Sequence, residues 1–117
     1  MKQHDMHLQA EYFDLIKSGQ KTIELRLWDE KRRQIAVGDI ITFTNRATNE
    51  SIKTKVKYLV IAENFKSLYD LINVKSTGFE TKETAIQTIE QFWDKKAQQK
   101  HGVVGIWIEM PDKNKLA

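Results

Sequence analysis

One short stretch of the sequence carries three side chains that can do chemistry. The charged groups lie within six residues, in the stretch Gly19-Gln20-Lys21-Thr22-Ile23-Glu24-Leu25-Arg26. The ammonium of Lys21 suits a phosphate or a carbonyl oxygen, and it can act as a nucleophile or base if desolvation removes its proton. The carboxylate of Glu24 can serve as a general base or accept from the amino edge of a base. The planar fork of Arg26 suits a phosphate or a guanine edge. This stretch therefore indicates a charged site.

Residues 22–27 alternate between polar and apolar side chains, which predicts a half-buried strand. The polar face carries Thr22, Glu24 and Arg26, and the residues between them are apolar. Side chains two apart on a strand project from the same side of the sheet. Thr22 is either a further ligand contact or an ordinary strand residue. Glu24 and Arg26 are either part of a site or an exposed ion pair worth about 0–1 kcal/mol.

Further aromatic and basic residues allow two interpretations each. Trp28 follows the strand directly and either stacks on a base or packs at the lip of the core. The cluster Lys31-Arg32-Arg33 either clamps a nucleic-acid backbone or forms a solvated loop. A basic stripe at a period of two is either a phosphate track or the protected edge of a sheet. It consists of Lys53, Lys55 and Lys57.

The elements that must position these residues follow from periodicity and turn signals. A helix is predicted over 9–17, and Gly19 is placed to close it in a left-handed conformation. Strands are predicted over 22–27, 40–44, 52–61 and 102–109, with a short helix around 65–72. A single amphipathic helix is predicted over 82–97, with a core-facing side formed by Ala85, Ile86, Ile89, Phe92 and Trp93. The predicted fold is an α+β domain around a small, curved, mainly antiparallel sheet or barrel.

Length and composition bound the class of protein. A chain of 117 residues suits one domain, predicted over 1–110, with a flexible tail over 111–117. The net charge of +3 permits a phosphate-bearing partner without requiring one. The absence of cysteine excludes a disulfide framework and a thiolate zinc site. No apolar run approaches the roughly 20 residues that cross a bilayer, so we expect a soluble, cytoplasmic protein without a membrane partner.

No metal or cofactor is predicted. His4 and His7 lie close together near the N-terminus, but no cysteine or carboxylate follows at a spacing that would complete a metal site. The oligomeric state stays open at this level.

Three motifs follow one another along the chain: Gly19-x-Lys21-Thr22-x-Glu24-x-Arg26, Val37-Gly38-Asp39-x-Ile41-x-Phe43 and Val103-Val104-Gly105-Ile106. Together they resemble the ASCH domain, the activating-signal-cointegrator homology domain, from about Leu8 to Ile108. The resemblance implies a PUA-like fold, which is a small β-barrel flanked by helices. It also implies a cleft for RNA or a nucleotide, with Lys21, Glu24 and Arg26 lining that cleft.

An enzymatic branch of the same superfamily suggests a second function. This branch removes the acetyl group from N4-acetylcytidine and carries the motif Gly-Arg-Lys-Thr-x-Thr-x-Arg. Lys21 matches the lysine of that motif, whereas Glu24 stands in place of its second threonine. Glu80 and Glu83 are the nearest candidates for the downstream glutamate of that branch. Other ASCH proteins are ribonucleases, so hydrolysis of RNA is a further alternative.

The sequence therefore predicts an RNA- or nucleotide-binding domain with a charged cleft. Its predicted ligand contacts are Lys21, Thr22, Glu24, Arg26 and Trp28. The alternative is a small hydrolase acting on RNA or on a modified nucleoside, in the manner of the N4-acetylcytidine amidohydrolases, with Lys21 and Glu24 as its catalytic residues. A third possibility is an adaptor for a protein partner, with a vestigial cleft.

Overall fold

The computed structural model describes residues 1–110, and the tail predicted over 111–117 lies outside them. The strands are β1 Gln3–Leu8, β2 Ile23–Leu27, β3 Ile40–Asn45, β4 Ser51–Ala62 and β5 Val103–Glu109. The α-helices are α1 Ala10–Lys17, α2 Phe65–Tyr69, α3 Lys82–Ile89 and α4 Lys95–His101. Two 3-10 helices occupy Arg32–Gln34 and Val74–Thr77. None of the helices in this range is long and apolar enough to span a bilayer.

All five strands form one sheet, in the order β1-β3-β4-β5-β2. β1 runs parallel to β3, whereas the pairs β3–β4, β4–β5 and β2–β5 are antiparallel. The sheet curls into a half-barrel flanked by the four helices of the described range, and β1 and β2 are its outer strands. This architecture confirms the predicted α+β class, with a small, mainly antiparallel barrel and flanking helices.

Two apolar clusters stabilise the half-barrel, and β5 contributes to both. The first cluster packs α1 against β1, β3 and β5, and includes Phe13, Ile41, Phe43 and Ile106. The second packs α2 and α3 against β2 and β5, and includes Ile23, Phe65, Leu68 and Val103. Alternate residues of a strand point to opposite faces. Both faces of β5 are therefore covered, which explains why the sequence of this strand is apolar almost throughout.

β1 is a strand that the sequence pattern did not predict, so the chain begins with a strand and not with a helix. Its side chains alternate, because Met6 and Leu8 are buried while Asp5 and His7 are exposed. It pairs with β3 along all six residues. Two buried apolar residues are too few to distinguish a strand from a loop by periodicity, so only the pairing with β3 identifies it.

Asp39, in the turn before β3, connects β1 to the rest of the sheet through hydrogen bonds. Its carboxylate accepts the backbone N–H groups of Lys2 at 3.1 Å and Ala36 at 3.0 Å, and it lies 2.8 Å from His4 Nε2. The hydrogen bond with His4 and those from the two N–H groups outweigh burial and lower the pKa of Asp39 to about 2. His4 therefore has a structural partner. Within residues 1–110, no group of three or more potential metal ligands of the His, Cys, Asp and Glu types lies together.

The single helix predicted over 82–97 is two helices. Asp94 begins α4, because its side chain accepts a hydrogen bond from the Ala97 N–H at 2.9 Å. The turn before it leaves Phe92 51% exposed, so the prediction that Phe92 belongs to the core is wrong. Trp93 is only partly buried. A new helix therefore begins after Asp94, although the spacing of the apolar residues suggests one continuous helix.

The lysine stripe lies on a central strand. Lys53, Lys55 and Lys57 are exposed on β4, which pairs with β3 on one side and β5 on the other. β3 pairs with residues 51–55 of β4 and β5 with residues 55–62, so within the described residues Lys53 has no β5 partner and the edge-strand interpretation stays a prediction. A break in register between Val56 and Tyr58 falls at Lys57, the last residue of the stripe.

Candidate functional site

A cleft of about 320 Å³ lies where the half-barrel stays open, between β1 and β2. α1, α2 and the segment that joins α3 to α4 provide its remaining walls. Its charged lining residues are Lys21, Glu24, Arg26 and Arg46, and its aromatic ones are Tyr12, Tyr69, Phe79, Phe92 and Trp93. Small-molecule sites occupy roughly 300–1,000 Å³, so this cleft suits a small ligand or a single unit of a larger one.

Lys21 enters the cleft because α1 ends in a tight turn. Gly19 has a φ angle of +86°, and its N–H bonds the Ile16 carbonyl at 3.0 Å, which agrees with the predicted left-handed closure. The Lys21 N–H then bonds the Leu15 carbonyl at 2.9 Å. The chain thus folds back along α1 before β2 begins, and this places the Lys21 side chain under the helix.

Lys21, Glu24 and Arg26 form an ion triad at the floor of the cleft. Glu24 Oε1 lies 3.3 Å from Lys21 Nζ, and Glu24 Oε2 accepts a hydrogen bond from Arg26 Nε at 2.9 Å. The Lys21 and Glu24 side chains are each 6% exposed, and that of Arg26 is 12% exposed. Glu24 and Arg26 therefore share a strand face, as predicted, but they are not an exposed surface pair.

The Glu24 carboxylate stays ionised although it is buried. Burial raises the pKa of Glu24, but the charges and hydrogen bonds of Lys21 and Arg26 lower it by more, so that the pKa lies below its usual value. With both oxygens engaged by cations, Glu24 has little capacity to accept a proton at neutral pH. The triad carries one net positive charge, which favours an anionic ligand.

A chain of buried hydrogen bonds fixes the Lys21 ammonium. Lys21 Nζ donates to the Thr77 carbonyl at 3.1 Å. Tyr69 Oη donates to Thr77 Oγ1 at 3.1 Å, and Thr77 Oγ1 donates to the Val74 carbonyl at 2.6 Å. Burial raises the pKa of Tyr69, so its hydroxyl remains a neutral donor. These bonds hold the cation in one position before any ligand arrives.

Gly78 allows the Thr77 carbonyl to approach Lys21. Its φ angle is +92°, a conformation that glycine adopts without steric cost. A Cβ atom at this position would stand 3.0 Å from Leu15 Cδ1 and 3.9 Å from Lys21 Cβ. The backbone conformation therefore favours glycine here, and an added Cβ would also force the Leu15 side chain to shift.

Aromatic rings form the upper walls of the cleft. The Tyr12 and Phe79 ring centroids lie 6.3 Å apart, and Lys21 Nζ lies 5.6 Å from the Tyr12 ring. On the opposite side, the Arg26 guanidinium carbon lies 5.8 Å from the Trp93 ring. Exposed Phe92 stands at the rim. Flat apolar faces above fixed charges can bind a planar ring that bears a negative group.

The rim of the cleft adds a further cation. Arg46, in the connection between β3 and β4, is exposed and forms no ion pair within the described residues. Arg26 Nη2 reaches across the opening to the His7 carbonyl on β1 at 3.4 Å. With Lys21, Arg26 and Arg46 against Glu24, the lining charges sum to +2.

The structure brings Lys21, Glu24 and Arg26 together and leaves the other two predicted contacts outside the cleft. Thr22 precedes β2, its backbone bonds Ser76 at 2.8 Å and Ile108 at 3.0 Å, and its exposed side chain does not line the cleft. Trp28 follows β2 and packs beside the first apolar cluster. The expectation that both would line the same cleft as the triad is corrected accordingly.

Other predicted candidates also lie elsewhere. Glu80 and Glu83 do not line the cleft, and neither do the lysines of β4. The basic residues at 31–33 have separate partners. Arg32 Nη1 lies 3.4 Å from Asp29 Oδ2, and the guanidinium carbon of Arg33 lies 5.7 Å from the centre of the Trp28 ring.

Sequence reasoning missed most of the walls. No sequence prediction gives a role to Tyr12, Tyr69 or Phe79, although all three line the cleft. No local pattern marks an aromatic residue as a wall instead of a core residue. A signal did exist for Phe92 and Trp93, because they directly precede the capping residue Asp94 and so fall in a turn.

Nearly the whole chain is similar to one protein family, for which the ASCH domain description matches residues 6–112. Among solved structures, hypothetical protein PH0355 is 40% identical with a TM-score of 0.83, and the match covers 93% of this chain and 99% of the other. Protein PF0455 from Pyrococcus furiosus is 36% identical with a TM-score of 0.75, covering 94% and 98%. No curated protein sequence matches the chain.

Two more distant structures share the fold. ASCH from Zymomonas mobilis is 18% identical with a TM-score of 0.65, and the match covers 92% of this chain and 67% of the other. The ASCH domain from Lactobacillus crispatus JV V101 is 13% identical with a TM-score of 0.67, covering 93% and 79%. At these identities the likeness concerns the fold, which is PUA-like.

Proposed function

This chain belongs to the ASCH domain family, and we propose that it is a binding module for RNA or a nucleotide. The ligand occupies the cleft between β1 and β2. Its phosphate or base oxygens contact Arg26 and Arg46, and its base lies against the aromatic walls. Lys21 supplies a further positive charge from the floor. A cytoplasmic location, where RNA is available, is part of the same proposal.

The observation that carries this proposal is the buried ion triad beneath an aromatic opening. Buried ion pairs contribute little to stability, because the cost of desolvation offsets the attraction. A fold therefore gains little from placing Lys21, Glu24 and Arg26 at the floor of an open cleft. The same arrangement favours ligand binding, because guanidinium groups bind phosphate and aromatic rings stack on bases.

Binding of fluorescently labelled single-stranded RNA and of nucleoside monophosphates to the full chain tests this function. We expect binding that weakens as salt rises, because contacts with phosphate release counterions. Arg46→Ala removes a rim cation without touching the triad, so it should weaken binding about ten- to hundredfold, as a charged hydrogen bond is worth about 1.5–3 kcal/mol. Arg26→Lys keeps the charge but loses the planar fork and should also weaken binding.

Lys57→Ala is the matched control, because Lys57 is an exposed cation that does not line the cleft. The affinity for RNA and for nucleotides should stay within about twofold of the wild-type value, because an exposed charge on the surface contributes little in water. The proposal is wrong if no RNA or nucleotide binds at low salt, or if Lys57→Ala and Arg46→Ala weaken binding equally.

Hydrolysis of RNA or of a modified nucleoside is the second candidate function. The 3.3 Å contact of Lys21 with Glu24 inside the cleft supports it, because both groups would face a bound substrate. The lowered pKa of Glu24 counts against its use as a general base. Incubation with N4-acetylcytidine and with end-labelled RNA would separate the two functions. Turnover that disappears in Lys21→Ala would establish hydrolysis, and turnover that survives it would exclude this catalytic assignment.

A further inference from the structure

A second concavity lies on the other side of the segment that joins α3 to α4. We call it the α4 groove, and its volume is about 1200 Å³. Residues of α4, the start of α2 and the region after β2 line it. Its cationic side chains are Arg33, Lys66, Lys95 and Lys100. The charged residues of this groove have no part in the cleft described above.

The positive charge of the α4 groove is not neutralised by the protein. Two carboxylates, Glu63 and Glu90, also line it, which leaves a balance of +2. Glu90 is occupied by Gln98, whose Nε2 donates to it at 3.0 Å. Within residues 1–110 no ion pair involves any of the four groove cations. Among exposed lysines outside the groove, Lys17 pairs with Glu50 at 2.6 Å and Lys82 with Asp70 at 3.4 Å, whereas the lysines of β4 form no ion pair in the described part of the chain.

Trp28 and Arg33 form a flat platform in the same groove. Arg33 Nε donates to the Trp28 carbonyl at 2.7 Å, and Arg33 Nη2 donates to the His101 carbonyl at 3.0 Å. These bonds fix the guanidinium with its carbon 5.7 Å from the Trp28 ring centre. Aromatic rings and guanidinium planes are the surfaces on which single-stranded bases stack. An acidic protein segment would use only the guanidinium, whereas a stacked base uses both the ring and the guanidinium plane, so a nucleic acid is the favoured occupant.

The α4 groove and the cleft are immediate neighbours. Ile89 lines the cleft, whereas Glu90, the next residue, lines the α4 groove. Consecutive Cα atoms are only about 3.8 Å apart. Phe92 and Trp93 then face the cleft, and Lys95 faces the groove. The segment that joins α3 to α4 therefore lines both concavities, with the cleft on one side and the α4 groove on the other.

We propose that the α4 groove binds the phosphate backbone of a single-stranded RNA, one nucleotide of which occupies the cleft. This inference rests on the proposed function and narrows its ligand from a free nucleotide to an RNA strand. Lys95 and Lys100 contact phosphates, and Trp28 with Arg33 stacks on a base beyond the cleft.

The test compares two double variants of the full chain, each of which loses two positive charges. Lys95→Gln with Lys100→Gln alters the groove. Lys96→Gln with Lys57→Gln is the matched control, because both lysines are exposed and line neither concavity. Affinity for a labelled 12-nucleotide single-stranded RNA is measured across a salt series, and affinity for uridine monophosphate is measured by calorimetry.

The groove variant should bind the 12-mer about tenfold more weakly at 0.1 M salt. The slope of log affinity against log salt should fall by about 1.4, at about 0.7 for each phosphate of a single strand. Its affinity for uridine monophosphate should stay unchanged, as should both affinities of the control. Trp28→Phe should weaken binding of the 12-mer alone.

Each other outcome overturns the inference in a recognisable way. Equal weakening of the 12-mer by both double variants would show that only overall charge matters. If Arg46→Ala weakens both ligands while the groove variant weakens neither, the proposed function stands and the groove inference fails. If Arg46→Ala affects neither ligand, the cleft does not bind nucleotides and the proposed function fails as well. Equally tight binding of an oligoglutamate peptide, lost in the groove variant, would assign the groove to an acidic protein.

Discussion

Glu24 is the residue that keeps two buried cations compatible with the fold. Lys21 and Arg26 approach the same carboxylate from two sides, and the Glu24 side chain is 6% exposed. Without the carboxylate the two positive charges would face each other with little water to screen them. A buried ion left without its partner costs far more than an intact pair contributes.

Glu24→Ala should therefore lower the free energy of unfolding by about 3–5 kcal/mol. Glu24→Gln keeps the shape and one acceptor, so its loss should be smaller but of the same sign. Urea unfolding followed by circular dichroism measures both. Glu11→Ala is the control, because Glu11 is exposed on α1 and its loss should change stability by no more than about 0.5 kcal/mol. Equal values for Glu24→Ala and Glu11→Ala would contradict a buried triad.

The sequence predicts part of this arrangement and not the rest. The spacing of Glu24 and Arg26 predicts a shared face, because strand geometry has a period of two. The burial of that face depends on α1 above it and on the contact of Lys21 with Thr77, 56 residues away along the chain. No local pattern encodes such a contact. The sequence of residues 22–27 therefore does not distinguish an exposed ion pair from a buried triad.

At the scale of elements, the 3-10 helix over 74–77 is the support on which Lys21 rests. Gly78→Ala should destabilise the protein by about 1–3 kcal/mol, the cost of a non-glycine residue at a strained positive φ. It should also weaken nucleotide binding, because the new methyl group meets Leu15 at 3.0 Å beside Lys21. Gly38→Ala is the control, with a φ angle of +95° and no atom within 4 Å of the added Cβ.

Gly38→Ala should lower the free energy of unfolding by a similar amount, because alanine is also strained at this positive φ angle. It should not reduce the affinity for a nucleotide. Thermal unfolding and calorimetric titration of both variants separate the two effects. A loss of affinity in both variants would mean that general destabilisation, and not the support of Lys21, weakens binding.

The attachment of β1 should depend on pH through Asp39. The pKa of Asp39 is lowered from 3.8 to about 2, so its contribution to stability is present above about pH 4 and is lost as the pH falls towards 2. Asp39→Asn should cost about 1–3 kcal/mol at pH 7, since the N–H groups of Lys2 and Ala36 lose a charged acceptor. The difference from the wild type should shrink between pH 4 and pH 2.

Urea unfolding at pH 7, 4 and 2.5 measures this difference. Asp5→Asn is the control, because Asp5 is exposed on the same strand. A difference between Asp39→Asn and wild type that stays constant with pH would show that the carboxylate does not act through its charge.

Elements whose apolar residues repeat over several positions could be predicted from the sequence. Elements whose position or boundary depends on a particular polar contact could not. α1, β2, β3 and β5 follow from periodicity, because each repeats its pattern over several residues. β1 depends on pairing with β3 and on Asp39, which lies more than thirty residues away along the chain. The break between α3 and α4 depends on the side chain of Asp94, which a count of apolar residues overlooks.

At the scale of the whole molecule, the half-barrel stays open between β1 and β2. The outer strands β1 and β2 do not pair in the described sheet, and Arg26 bridges them through the His7 carbonyl at 3.4 Å. The lining residues of the cleft and of the α4 groove each sum to +2, whereas the chain as a whole carries only +3. Positive charge is therefore concentrated around the α3–α4 segment, a concentration that net charge alone does not reveal.

This distribution predicts that a ligand's phosphate, more than its base, stabilises the folded protein. Ligand at about 100 times its Kd adds about 2.7 kcal/mol. At roughly 4 °C per kcal/mol for a domain of this size, uridine monophosphate should raise Tm by about 10 °C at that concentration. Uridine at the same concentration should raise Tm far less, because it lacks the anion that Arg26 and Arg46 attract. In Arg46→Ala the two Tm shifts should converge, whereas in Lys57→Ala they should stay apart. Equal shifts for uridine and its monophosphate in the wild type would show that the cleft's positive charge has no part in binding.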